Sequence, residues 1–167
     1  MERRKELTVN DQELVKSLNH LGIDDANYQL VALLPLVQVG WADGRIQPKE
    51  RDLILRVAQE GGYLHGDAHR VLNGWLTHPP TSEYQARGRA LLLALVHRRD
   101  GGLGAGLTVE TLDQVLDLCH QVADAAGGIF GVFGRVEPAE REAIAEIAGA
   151  LSVEPEAVLE ELDLDEE

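Results

Sequence analysis

Four carboxylates stand at places where they can act together. Asp43 and Glu50 lie in the stretch DGRIQPKE, and Asp124 and Glu140 lie before and in a similar stretch further along the chain. Clustered carboxylate oxygens form a hard site that suits Ca²⁺ or Mg²⁺. The four meet only if the two stretches face each other across a pseudo-twofold axis. The same residues also have a purely structural use. Pro48 and Pro138 suit the first helical position, where a missing N–H costs nothing. Glu50 and Glu140 then fall at N3, where a carboxylate favours the helix start and can reach back to the cap. Both readings stay open at the level of sequence.

DGRIQPKE also matches the second half of an EF-hand loop, with Asp, Gly, an apolar residue and a closing Glu. The first half fails, because Val39 and Trp41 occupy the first ligand places and offer no side-chain oxygen. Calcium takes roughly six to eight oxygens, so Asp43 and Glu50 alone do not make a calcium loop. In HGDAH, His65 and His69 are four apart, a zinc-chelating spacing on a helix face, but the Glu of HExxH is missing and Gly66 marks the helix start. Cys119 and His120 are sequence neighbours, which point apart on a helix and make no catalytic pair. No phosphate loop, dinucleotide fingerprint or Ser-His-Asp spacing is present, and the expectation is a protein that is not an enzyme.

The chain that must position these groups has 167 residues, 44% of them hydrophobic, enough for one ordinary domain with a real core. A single cysteine excludes an intrachain disulfide. The N-terminus lacks an apolar run of signal-peptide type, and the longest apolar runs, residues 30–37 and 90–96, are too short to span a bilayer. The expected setting is cytoplasmic, without membrane insertion. Net charge is −14, and residues 137–167 carry twelve Asp or Glu against one Arg. Such a surface repels nucleic acid and favours cations or a basic protein partner, unless it serves solubility alone. Arg87, Arg89, Arg98 and Arg99 make the middle of the chain basic.

Periodicity predicts helices throughout. Residues 1–9 read as a loose arm and residues 11–20 as a short helix. Asp24 or Asp25 is placed to cap the next helix, residues 26–42, which is apolar nearly all round and carries Pro35 as an expected kink. Helices follow at 48–60, 66–77 and 82–99, the last being the expected central helix. DGGLGAG at 100–106 is a flexible link. In residues 108–126, Leu112, Val115, Leu116, Cys119, Val122, Ala123 and Ala126 share one face, and Asp113, Asp117 and Asp124 another. Helices at 138–150 and 155–163 complete the chain, before an acidic tail at 165–167. The Gly-rich stretch GGIFGVFG carries Ile129, Phe130 and Phe133, which either plug the core or contact a partner protein.

GRIQPKERDLILRVA (44–58) and GRVEPAEREAIAEIA (134–148) align without a gap and share seven of fifteen residues. Both upstream helices carry Gln-Val, at 38–39 and 121–122. A helical unit therefore occurs twice, over about 25–77 and 108–164, with the central helix between. The expected fold is all-α, a compact bundle of seven or eight helices from two pseudo-symmetric repeats in one domain, residues 10–164.

The segment VGWADGRIQPKERDLILRVAQEGGY resembles the repeated signature of the TerB-like (tellurite-resistance) family: a small residue, ADG, an apolar residue, then Pro-x-Glu-Arg into a helix. VADAAGGIFGVFGRVEPAEREAI resembles a Gly-rich variant of it. The resemblance covers roughly residues 25–164. It implies an all-helical, non-catalytic module that acts in stress-response or membrane-associated protein assemblies, with acidic residues binding a divalent cation. The second copy departs from the signature: Phe133 precedes Gly134 where Asp43 precedes Gly44, which leaves Asp124 as the nearest acidic substitute. A metal-independent interaction or scaffold module is the alternative.

Overall fold

Runs of leucine, valine and alanine at helical spacing leave one arrangement open, helix packed on helix, and that is what forms. The computed structural model describes residues 12–24, 26–97, 107–127 and 138–152. The expected N-terminal arm, the 100–106 link, residues 128–134 of GGIFGVFG, the helix expected at 155–163 and the acidic tail lie outside them. Seven α-helices and one 3-10 helix, with no strand, account for the regular structure of the described residues. They are α1 (12–20), a 3-10 helix (Tyr28–Leu33) running into α2 (Leu34–Gly40), α3 (Pro48–Glu60), α4 (Ala68–Thr77), α5 (Ser82–Val96), α6 (Val109–Gly127) and α7 (Pro138–Ala150).

The local causes of these boundaries are visible residue by residue. Asp24 Oδ1 accepts from the backbone N–H of Ala26 at 2.9 Å and of Asn27 at 3.2 Å, and Asn27 Oδ1 accepts from Asp24 N at 2.8 Å. That reciprocal turn launches the 3-10 helix. Pro35 does not kink one long helix, as periodicity suggests. It sits in the first turn of α2, where the helix changes from 3-10 to α and no intrahelical N–H is needed. Thr81 caps α5 by accepting from Tyr84 N at 3.1 Å. Gly44 holds φ at +97°, which lets the chain reverse between α2 and α3.

Buried residues of α2 face almost every direction, because α2 packs against α3, α5, α6 and α7 at once. Each fully buried leucine there and in α5, such as Leu34, Leu36, Leu91 and Leu92, contributes on the order of 1.5–3 kcal/mol relative to exposure. α6 packs against α2, α3 and α7. Its predicted apolar stripe is buried at Leu112, Val115, Cys119, Val122 and Ala123, while Asp113, Asp117 and Asp124 are exposed. Burial pushes the Cys119 thiol up to about 12, so it is an inert core group.

A chain of aromatic hydrogen bonds ties the far corner together. The Trp41 indole donates to the Trp75 carbonyl at 2.8 Å, the Trp75 indole donates to the Tyr84 hydroxyl at 2.9 Å, and that hydroxyl donates to the Leu21 carbonyl. Trp75 and Tyr84 also meet edge to face, with ring centroids 6.1 Å apart. Residues from the ends of α1 and α2, from α4 and from α5 are thereby joined.

Candidate functional site

Two groups of polar side chains are enclosed in this apolar bundle. The first is acidic. Glu50 and Glu140 are each only 1% exposed, a rare condition for glutamate. Both occupy the third position of a helix that begins with proline, α3 and α7. At Glu50 the capping box is complete: its Oε1 accepts from Gln47 N at 2.8 Å, and the Gln47 side chain accepts from the Glu50 backbone. Burial pushes the Glu50 carboxyl up to about 8, opposed by the bond from Gln47 and reinforced by the charges of Glu140 and then Asp43. At neutral pH Glu50 therefore holds a proton for most of the time, beside a second buried glutamate.

Of the four carboxylates singled out by sequence, Glu50 and Glu140 come within electrostatic reach inside the bundle. Asp43 is exposed in the turn, accepts from Arg45 N at 3.3 Å, and acts on Glu50 through its charge. Asp124 is exposed on α6. Among the described residues, no three His, Cys, Asp or Glu gather as a metal-holding group. Two carboxylates are what Mg²⁺ commonly takes from a protein, with waters completing its octahedron, whereas Ca²⁺ wants more protein oxygens. His65 and His69 are exposed, and Asp67 between them pairs with Arg70 at 2.9 Å. Ile129, Phe130 and Phe133 fall outside the described residues.

The second group is one that sequence reasoning passed over. Arg89, on α5 and 8% exposed, donates through Nη1 to Gln38 Oε1 at 2.5 Å and through Nη2 to Glu146 Oε1 at 3.3 Å. Gln38 Nε2 also donates to Glu146, at 3.3 Å. Gln85 lies one helical turn before Arg89 and is 4% exposed. These residues line a cleft of about 220 Å³ between α2, α5, α7 and the Pro79–Pro80 turn, with Trp41 as a wall. The available signal was the pair Gln85 and Arg89, four apart and so on one face of a helix that turns wholly apolar from Ala90 onward. A larger cleft, about 520 Å³, lies between the end of α1 and the start of α5, but the half-buried Tyr84 hydroxyl that lines it is already engaged.

Among the described residues, no helix is long and apolar enough to cross a membrane. Compared with family models, with curated proteins and with solved structures, the chain matches none.

Proposed function

We propose that this chain is a non-catalytic module of the TerB-like type, which takes up a divalent cation at Glu50 and Glu140 and thereby adjusts a protein-binding face. The observation that carries the reading is the pair of buried glutamates, contributed by the two Pro-x-Glu-Arg segments of the internal repeat. The packing pattern supports it. α2 and α6, which precede the two segments, pack on each other, and each packs on both α3 and α7. That is the exchange of neighbours a pseudo-twofold pair of repeats produces. A cation competes with the proton on Glu50, replaces a like-charge repulsion by two attractions, and biases how the halves pack. Mg²⁺ suits the two carboxylates better than Ca²⁺. Asp43 and Asp124 then act as outlying charges that attract the ion. The protein partner belongs to a stress-response or membrane-associated assembly in this reading.

The complete capping box at Glu50 favours a second reading, a metal-independent interaction module in which both glutamates serve helix starts alone. Thermal unfolding separates the two. The chain is stripped with EDTA and then given millimolar Mg²⁺ or Ca²⁺ at pH 8, alongside the Glu50→Gln/Glu140→Gln variant. The cation reading expects a rise in Tm that grows with ion concentration, about 2.7 kcal/mol at a hundredfold excess over Kd, and vanishes in the variant. An unchanged Tm with both ions rules it out in favour of the scaffold reading.

A further inference from the structure

Helix α5 is seated on the bundle in two different ways. Its second half, residues 90–96, is apolar and buried throughout. Its first half, residues 82–89, buries Gln85, Gly88 and Arg89 and no apolar side chain, with Tyr84 and Ala86 only half-buried. Buried polar atoms in folded proteins are nearly always hydrogen-bonded, because an unsatisfied one keeps its full desolvation penalty. Gln85 Oε1 and Nε2 and Arg89 Nε depart from that rule. Each is shut off from water and has no hydrogen-bond partner among the described residues. Seating this half of α5 on the 3-10 helix and α2 therefore gives up solvation that the packing does not return. The approach is also close, since a Cβ at Gly88 would lie 2.1 Å from Leu34 Cδ2.

Few bonds hold the first half down. The Tyr84 hydroxyl donates to the Leu21 carbonyl, and Arg89 donates to Gln38 and to the exposed Glu146, all between part-buried groups. Water replaces such bonds when they open. The connection leading in, Pro79–Pro80, has no backbone N–H of its own to tie it down. From this contrast we propose that residues 79–88 form a flap that unwinds from α2 as one unit, with Gly88 as its hinge and residues 90–96 as its fixed root, and so gates the cleft between α2, α5 and α7. Segments with few buried apolar groups open locally, at less than the cost of global unfolding. Opening returns the Gln85 amide to water, and glycine, a poor helix former, marks where the unwinding stops. The cleft divides along the same line. Pro79, Pro80, Ser82 and Gln85 line it from the flap, while Trp41 and Arg89 stay on the fixed side. The flap stands apart from Glu50 and Glu140 and does not rest on the cation reading.

The test is native-state amide hydrogen exchange of the full chain, followed by NMR at increasing low concentrations of urea. Residues 51–54 of α3 are the control for ordinary fraying. They follow the Gln47 cap at the depth at which residues 85–88 follow the Thr81 cap, but α3 buries Ile54 there and its buried Glu50 is hydrogen-bonded. Relative to their intrinsic rates, amides 85–88 are expected to exchange about tenfold or more faster than amides 51–54. All four share a weak dependence on urea, while amides 92–96 follow global unfolding. Gln85→Met keeps the length of the side chain and removes its amide. It slows exchange at 85–88 by about tenfold or more, whereas a residue that only fills space there would speed exchange when replaced. If that variant does not fold, the comparison within the wild-type chain decides. Amides 85–88 as protected as 51–54, a urea dependence equal to that of 92–96, or exchange at 85–88 unchanged or faster in Gln85→Met overturns the proposal.

Discussion

The acidic pair and the Gln85–Arg89 cluster lie in the same bundle, and they handle buried polarity in opposite ways. At Glu50 the polar group is anchored by its own helix start, through Gln47, and what is left over is charge. At Arg89 the charge is matched by Glu146 and the matching side chains come from three different helices, while what is left over is hydrogen-bonding capacity at Gln85. Leftover charge answers to protons or cations, leftover hydrogen-bonding capacity to a polar partner. An enclosed polar residue is thus best judged by which of its needs, charge or hydrogen bonds, the fold leaves unmet.

The largest expected effect that separates the two regions is on pH. Glu50 titrates near 4.5 in the unfolded chain and near 8 in the folded one. Between those values the folded state binds the extra proton, so stability is full below 4.5 and is lost as pH rises towards 8. In metal-free buffer the loss is on the order of a few kcal/mol, at a slope of up to about 1.4 kcal/mol per pH unit. Urea unfolding across that range checks it, and Glu50→Gln, which keeps the cap acceptor, flattens the profile. A sloping profile in the Glu50→Gln variant assigns the effect to other groups and breaks the contrast.

Next in size is Gly88→Ala on α5. A Cβ at Gly88 comes within 2.1 Å of Cδ2 of the fully buried Leu34, so that side chain must turn within a packed core or α5 and α2 must part. We expect a cost of about 1–3 kcal/mol, read as a Tm drop of roughly 2–4 °C per kcal/mol, with the pH slope at Glu50 retained. The smallest effect compares the two Gln-Val sites. Gln38→Leu strands a bond of Arg89 and costs about 1–2 kcal/mol. Gln121→Leu loses only an exposed contact with Asp117, at 3.2 Å, and stays within about 0.5 kcal/mol. Equal costs measured by urea unfolding erase the distinction between the sites.

The same contrast governs what the sequence made legible. Helices α3 and α7 begin at the prolines that predicted them, and Glu50 was placed at N3 by local spacing alone. Its near-total burial was not readable, because a solvated glutamate at N3 has the same spacing; burial comes from helices distant in sequence. The stripe on α6 was read correctly from its period, including Cys119 facing the core. Pro35 was misread as a kink because an apolar run says nothing about where 3-10 turns give way to α. The Gln38–Arg89–Glu146 cluster escaped entirely. Its members are 51 and 57 residues apart, and no local rule joins them.

The hydrogen-bonded aromatic corner has a practical consequence. The chain contains two tryptophans, and both belong to that corner. Trp41 walls the cleft, and Trp75 contacts Tyr84. Intrinsic fluorescence is therefore a spatially selective optical signal, while circular dichroism sums over every helix. The molecule carries its own built-in dye at one address. A divergence between emission and ellipticity during unfolding reports that this corner loosens apart from the rest of the bundle.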